Sequence, residues 1–503
     1  MSMVPRRLTP LWQLLILTST LILILLYYFG GPSELTQYVK SEGSQWRALE
    51  NTAVSLPASE DVLQADKDML KALKVSSGFD FRRRCFNVRP TVGVKRTSLA
   101  KIPQSLFQVP PSRGLSIEDA LPPCQDVVHL DVPDWSQKAI ADTSAIMFGM
   151  ATTLSRIDAS LPAVSRWLSN SGSPLVVLLV DQAELIHEGQ TIARIRDEAA
   201  ELGIELIFES YGGDMGDTEG LKNFALAEEL NKHRRAETQW FGIIDDDTFF
   251  LALPPMLKAL KPYNPSQEWY IGALTEGLFR IAQEGFKAWG GAGIFISAPL
   301  MEKLSLNSKH CQPLDQGFGD LLWRDCILEI TSPTVKLTQL EGLHQIDLWG
   351  DISGWYESGW TPLLSLHHWK SWHFHPVPLA HSVADVAGPD TFLQRYQFDD
   401  SIVLTNGFSI SAYPQGLPDL NRTELTFWED VNRKGEKPNR LMFHHSLGAT
   451  RTALQLGKDK IQWLFEYATY GSDGSVRQFY INKGVGSGTG TRDSVIEIDW
   501  RQG

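Results

Sequence analysis

Apolar and polar positions divide the chain into four kinds of pattern. Leu11 to Phe29 (LWQLLILTSTLILILLYYF) carries no charge, and its nineteen residues suffice to cross about 30 Å of hydrocarbon as a helix. Arg6 and Arg7 precede it, and Trp12, Tyr27 and Tyr28 sit near its ends. This arrangement predicts a short cytosolic N-terminus and a type II topology. A cleavable signal peptide is the competing reading, but the apolar run is long for a signal core and GGPSELTQ offers no small-x-small cleavage pattern. Gly30 to Asp134 shows no sustained period and is expected to be a stem.

From Ser144 the pattern alternates short apolar runs with longer amphipathic stretches, which predicts an α/β domain with a mixed, mostly parallel central sheet. Ala145–Phe148, Leu175–Val180, Ile204–Phe208 and Trp240–Ile244 are the expected buried strands. Ile192–Leu202 and Leu221–Leu230 are the expected helices between them. Gly290–Ile296 predicts a glycine loop entering a strand, and Gly319–Glu329 a helix. Beyond Pro376 short alternating segments such as Val495–Asp499 predict a small β-rich appendage. The expected divisions are a cytosolic tail (1–10), an anchor (11–29), a stem (30–134), an α/β domain (135–376) and a C-terminal β-rich region (377–503).

Composition narrows the picture. Of 503 residues 43% are hydrophobic, enough for a large core. A net charge of −13 argues against holding nucleic acid through its phosphates, which needs a basic face. The run Arg82–Arg84 is expected to be a solvated face. Four cysteines allow three pairings, and proximity favours Cys85 with Cys124 and Cys311 with Cys326. No CxxC occurs, so a cysteine-rich zinc site is not expected. Asn421-Arg422-Thr423 is a glycosylation sequon that fits a lumenal C-terminal region.

The chemistry concentrates in WFGIIDDDTFF. Asp245, Asp246 and Asp247 follow an apolar strand at the edge where open α/β sheets bind ligands. Hard oxygen donors suit Mg²⁺ or Mn²⁺, which also bridge the phosphates of a nucleotide. The plainer alternative is a solvated acidic loop or an N-cap, but the apolar residues on both sides weigh against it. Gly149, Thr152 and Arg156, after the first strand of the domain, are placed where a nucleotide would lie. Gly290, Gly291 and Gly293 would allow close approach of a sugar or diphosphate to the backbone. Trp355, Trp360, Trp369 and Trp372 cluster near the histidines; most are expected in the core and one or two against a sugar.

WFGIIDDDTFF resembles the aspartate motif of the Fringe-like glycosyltransferases, including related fungal and plant proteins, within the family of inverting β-1,3-glycosyltransferases. EWYIGALTEG, WGGAGIFIS, CQPLDQGFGDLLWRDC, GLHQID and LLSLHHW follow in that family's order, together spanning Ser144 to His375. The resemblance implies a GT-A-type fold, a UDP-sugar donor, Mn²⁺ (or Mg²⁺), inversion at the anomeric carbon, and a glycan or glycoprotein acceptor in the Golgi or endoplasmic reticulum. Carried over, Asp245 and Asp247 would hold metal, with Asp247 the preferred direct ligand, and Asp245 and Asp246 would meet the donor. His367 resembles the metal-binding histidine, with His368 leaving the register open. Asp320, six residues before Cys326, resembles the family's catalytic acidic residue, the base that would take the proton of the acceptor hydroxyl, with Asp315 as the alternative. The region beyond Pro376 has no counterpart in the Fringe pattern. A catalytically silent, membrane-tethered carbohydrate-binding or scaffold protein is the competing expectation, and a metal-dependent phosphohydrolase a third.

Overall fold

The computed structural model describes residues 59–503 apart from 125, 136–141, 182–187, 215, 360–361, 429–446 and 485–491. The expected anchor, Leu11–Phe29, therefore lies outside the described residues. Among the described residues no helix is long and apolar enough to cross a membrane.

A helix, Ser59–Ala72, precedes four strands: β1 (Phe79–Thr91), β2 (Leu99–Ile102), β3 (Ser112–Leu115) and β4 (Val127–Pro133). They do not form a stem. All four belong to a ten-stranded sheet whose other strands lie between Arg395 and Gln502. β1 runs parallel to Ser494–Gln502 from Asp80↔Ser494 to Val88↔Gln502, and β2 runs parallel to Arg395–Phe398. The stem and the C-terminal appendage of the sequence reading are thus two halves of one sheet. Long polar stretches in β1 disguise it, because charged residues there find partners across the sheet. Glu497, fully buried, accepts from Arg83 at 2.7 Å and Arg477 at 2.8 Å. Arg477 also grips Asp66 of the first helix with two bonds, at 2.9 and 2.8 Å. The Cys85–Cys124 disulfide ties β1 to the segment before β4.

The second sheet has seven strands and carries the site. Its parallel part is β5 (Ile146–Thr152), β6 (Leu175–Leu179), β7 (Leu206–Ser210) and β8 (Trp240–Ile244), in the order β8-β5-β6-β7. Beyond β8 come Ile294–Ser297, antiparallel to it, then Tyr270–Gly272 and Leu337–Gln339. The sheet is mixed α/β, as the alternating pattern predicts, and β5 to β8 fall within a few residues of the expected runs. The helix expected over Leu221–Leu230 is split at Ala225 into Glu219–Phe224 and Leu226–Lys232.

Glycine and disulfide geometry bring these layers close. An added Cβ on Gly149, in the middle of β5, would lie 2.8 Å from a Leu230 methyl, so this glycine admits the helix onto the sheet. The helix Gly319–Ile330 buries Leu322, Trp323, Cys326 and Ile327, is tied through Cys311–Cys326, and donates from Trp323 Nε1 to Asn223 at 2.7 Å. Both disulfides are those favoured by proximity.

Candidate functional site

β8 ends at Ile244, so Asp245, Asp246 and Asp247 emerge at the carboxyl edge of the parallel strands. A short antiparallel pairing then decides the site. Ser365 pairs with Phe250 and Leu366 with Phe249; continuing that register sets His367 and His368 opposite the aspartate turn. The turn itself is closed by Thr248, whose hydroxyl accepts from the Asp245 amide at 3.0 Å and donates to the Gly291 carbonyl at 2.8 Å. Ser365 donates to the next carbonyl, Ala292, at 2.7 Å. Three segments distant in sequence are thereby stitched at one point.

The three aspartates are not equivalent. Asp245 is 43% exposed at its side chain, whereas Asp246 and Asp247 are at 3% and 7%. Asp246 accepts from Nε and Nη2 along one edge of the Arg156 guanidinium, the Nε contact being 2.9 Å, and from Lys370 at 3.1 Å. Lys370 also donates to Ser160 at 2.7 Å. His367 Nε2 lies 2.9 Å from Asp247 and 3.4 Å from Asp245. Burial alone would lower the His367 pKa, but the two carboxylates, Asp247 first, hold it well above its ordinary value. Burial likewise raises Asp247, and the facing imidazolium outweighs it and holds the carboxyl well below the usual carboxylate range. Charge is thus balanced: three carboxylates face Arg156, Lys370 and a protonated His367.

His368 plays a different part. Its backbone is left-handed, φ +58°, which lets consecutive rings lie with centroids 3.8 Å apart. Nε2 meets Asp347 at 3.1 Å and Nδ1 meets Ser371 at 3.2 Å; Ser371 in turn donates to Asp247 at 2.7 Å. Asp347 accepts from Thr275 at 2.8 Å. Burial and the neighbouring His367 lower the His368 pKa. This chain orients Asp247 from behind, as outer partners of metal ligands do. The ring also stacks on Trp372, which stacks on Trp349. Both faces of Trp372 are therefore covered. Trp355 and Trp369 are buried, and Trp360 lies outside the described residues.

Asp320 opens the helix Gly319–Ile330 and accepts from the Gly290 amide at 3.0 Å and Lys287 Nζ at 3.1 Å. Burial raises its pKa despite that lysine. Asp315 instead accepts from Thr218 at 2.6 Å and from the Gly317 amide at 3.0 Å, locking its loop to the helix Glu219–Phe224.

The remaining sequence candidates separate. Thr152, at the end of β5, is buried with its hydroxyl unpartnered, and Arg156 reaches the aspartates. Gly149 does not belong with them: it is buried within β5 and its role is the Leu230 contact. Gly290 and Gly291 make room for side chains rather than a ligand. A Cβ on Gly290 would lie 2.7 Å from Asp320, and one on Gly291 2.1 Å from the His367 ring. With Nδ1 of His367 unpartnered, that packing adds to the Nε2 contacts with Asp247 and Asp245 in fixing the ring. Gly293 has φ +106° and turns the chain into Ile294–Ser297.

Residues 282–411 match a family described as "Protein of unknown function, DUF604". That stretch includes Asp320 and His367 and begins after the aspartates. No curated protein matches. Among solved structures the chain is similar to a mannosyltransferase from Pyrobaculum calidifontis in complex with GDP-Man and Mn²⁺, at 14% identity and TM-score 0.27 over 42% of this chain and 60% of that one. It is similar to mouse xyloside xylosyltransferase 1 at 11% identity and TM-score 0.24, over 38% and 84%. It is equally similar to a 4-diphosphocytidyl-2C-methyl-D-erythritol synthase from Anaerococcus prevotii, at 12% identity and TM-score 0.26, over 39% and 90%. Scores of this size decide nothing about fold or activity, and the functional reading rests on the site's own geometry.

Lys370, Ser371, Asp347, Thr248 and Lys287 escape the sequence reading. Lys370 and Ser371 lie in HHWKSW, two to four residues from the histidines, and that proximity was the signal available. Asp347 closes the GLHQID segment and Thr248 follows the aspartates, whereas Lys287 carried no signal. Two groups among the described residues have metal-like spacing: Asp247, His367 and His368 at this site, and Glu209, Glu229 and His233, the latter consumed by Lys232, which pairs with both glutamates at 2.8 and 2.9 Å.

Proposed function

We propose that this chain is an inverting glycosyltransferase of GT-A type, transferring a sugar from a UDP-sugar to a glycan or glycoprotein acceptor, in a β-1,3 linkage, with Mn²⁺. Its setting is the Golgi membrane, anchored through Leu11–Phe29 with the catalytic part lumenal. One observation carries the reading: at the carboxyl edge of a parallel sheet His367 Nε2 lies 2.9 Å from Asp247 and 3.4 Å from Asp245, and Asp247, His367 and His368 bring ligand atoms within 4.8 Å of one another, with Asp320 across the same glycine turn.

Two carboxylates and an imidazole fit a hard-to-borderline divalent cation, and Asp245, Asp247 and His367 would hold it. Bound there, the cation supplies fixed positive charge against the charge that develops on the departing diphosphate. The ion pairs of buried Asp246 hold Arg156 and Lys370 beside that position, and Thr152 offers its hydroxyl to the donor. Asp320 takes the proton of the acceptor hydroxyl. Its raised pKa favours this, because a base whose pKa lies nearer the working pH accepts a proton more readily. Asp315, which contacts Thr218 and its own loop rather than the glycine turn, is the weaker candidate.

Two variants test the assignment. Asp247→Asn should weaken Mn²⁺-dependent UDP binding by roughly 100-fold, the upper end for perturbed metal sites; unchanged binding in calorimetry would sink the metal triad. Asp320→Asn should keep UDP binding and lower turnover by about 10² to 10⁴. Normal turnover would move the base elsewhere, and UDP binding without transfer in the native chain would favour the silent relative.

A further inference from the structure

β1 changes neighbour along its length. Phe79 and Phe81 pair with β3, and Cys85 to Thr91 pair with β4. Arg82, Arg83 and Arg84 fall in the gap, where a cavity of about 120 Å³ opens. One wall is the Pro122–Pro123 loop, clamped to the strand by Cys85–Cys124; Phe107 lies on another.

Strand alternation puts Arg82 and Arg84 on one face and Arg83 on the other. Arg83 is spent: it donates to the Pro122 carbonyl at 2.6 Å and to Glu497 at 2.7 Å. Arg84 keeps donors to spare, and Arg82 keeps all of its own. Arg82 lies 4.8 Å over the Phe107 ring and has no hydrogen bond or ion pair among the described residues, with Asp80 and Asp400 acting on it only at a distance. Arg84 is 5% exposed and makes one ion pair, at 3.5 Å, with Asp126, which also lines the cavity. The Nε of all three arginines is buried without a partner. Such donors are costly to leave unmet, and arginine stays charged rather than neutralising. The solvated face expected of this run is instead the lining of a cavity.

We propose that this cavity binds one oxyanion, a carboxylate or sulfate carried by an acidic saccharide, between the guanidinium forks of Arg82 and Arg84. Residues i and i+2 of a strand stand about 7 Å apart, a span that two forks can bridge onto a single planar or tetrahedral oxyanion. The volume suits one such group and its attached atoms, and the Phe107 face suits the edge of a sugar ring. The site is independent of the aspartate cluster.

Calorimetric titration of the full chain with glucuronate, sodium sulfate and sodium phosphate, at ionic strength held constant with chloride, tests this. Arg82, being partly exposed, is the safer variant, and a thermal unfolding midpoint unchanged from wild type shows that Arg82→Gln is folded. Saturable binding that Arg82→Gln weakens about tenfold or more, and that Arg82→Lys partly retains, is the expected result. Tighter binding of glucuronate than of the inorganic ions assigns the acidic saccharide. Binding of inorganic ions alone overturns that source, and no saturable heat, or binding equal in Arg82→Gln, overturns the site.

Discussion

The two sheets bury charge for opposite ends. In the ten-stranded sheet Asp66, Arg83, Arg477 and Glu497 neutralise one another completely, and the network joins the first helix, β1 and the C-terminal strands. In the seven-stranded sheet the acids at the edge are left balanced by a proton: His367 carries the last positive charge against Asp245 and Asp247. A closed network stabilises a sheet assembled from distant segments. An open one, whose final cation is exchangeable, is what a metal-dependent site needs.

The largest effect that would break this contrast falls on the closed network. Glu497→Gln leaves two buried guanidiniums short of an anion and should cost about 3 to 5 kcal/mol of stability. Denaturant unfolding measures it; a loss under about 1 kcal/mol would mean the pair is not structural. Next comes the open site. Gly291→Ala pushes a methyl into the His367 ring and should weaken Mn²⁺ binding by about tenfold or more, read by calorimetry; unchanged affinity would remove His367 from the ligand set.

The smallest effect is a pH slope. The His367 pKa is raised in the fold, so the protonated pair contributes stability fully below the unfolded value, about 6.5, and that contribution is lost as pH rises through the raised one. A divalent cation must displace the same proton, so Mn²⁺ affinity should increase with pH up to that raised value and binding should release a proton. Calorimetry in buffers of different ionisation heat counts it. Proton-free binding would mean that His367 is neutral, and the contrast between the two sheets would fail.

What the sequence determined by itself was local. Trp240–Ile244 followed by three aspartates reads as a buried strand delivering acids to a sheet edge, because apolar run and acidic turn are adjacent in the chain. The α/β alternation and both disulfides were legible for the same reason. Only the tertiary structure decided that Ser365–Leu366 pairs with Phe249–Phe250 and so chooses His367 for the acids and His368 for Asp347. It also decided that Gly149 and Gly291 are spaces for Leu230 and His367, and that 79–133 and 395–502 are one sheet. Strand pairing across hundreds of residues leaves no period in either segment, and a charged strand such as β1 looks like a loop until its counter-charges arrive from the other end of the chain.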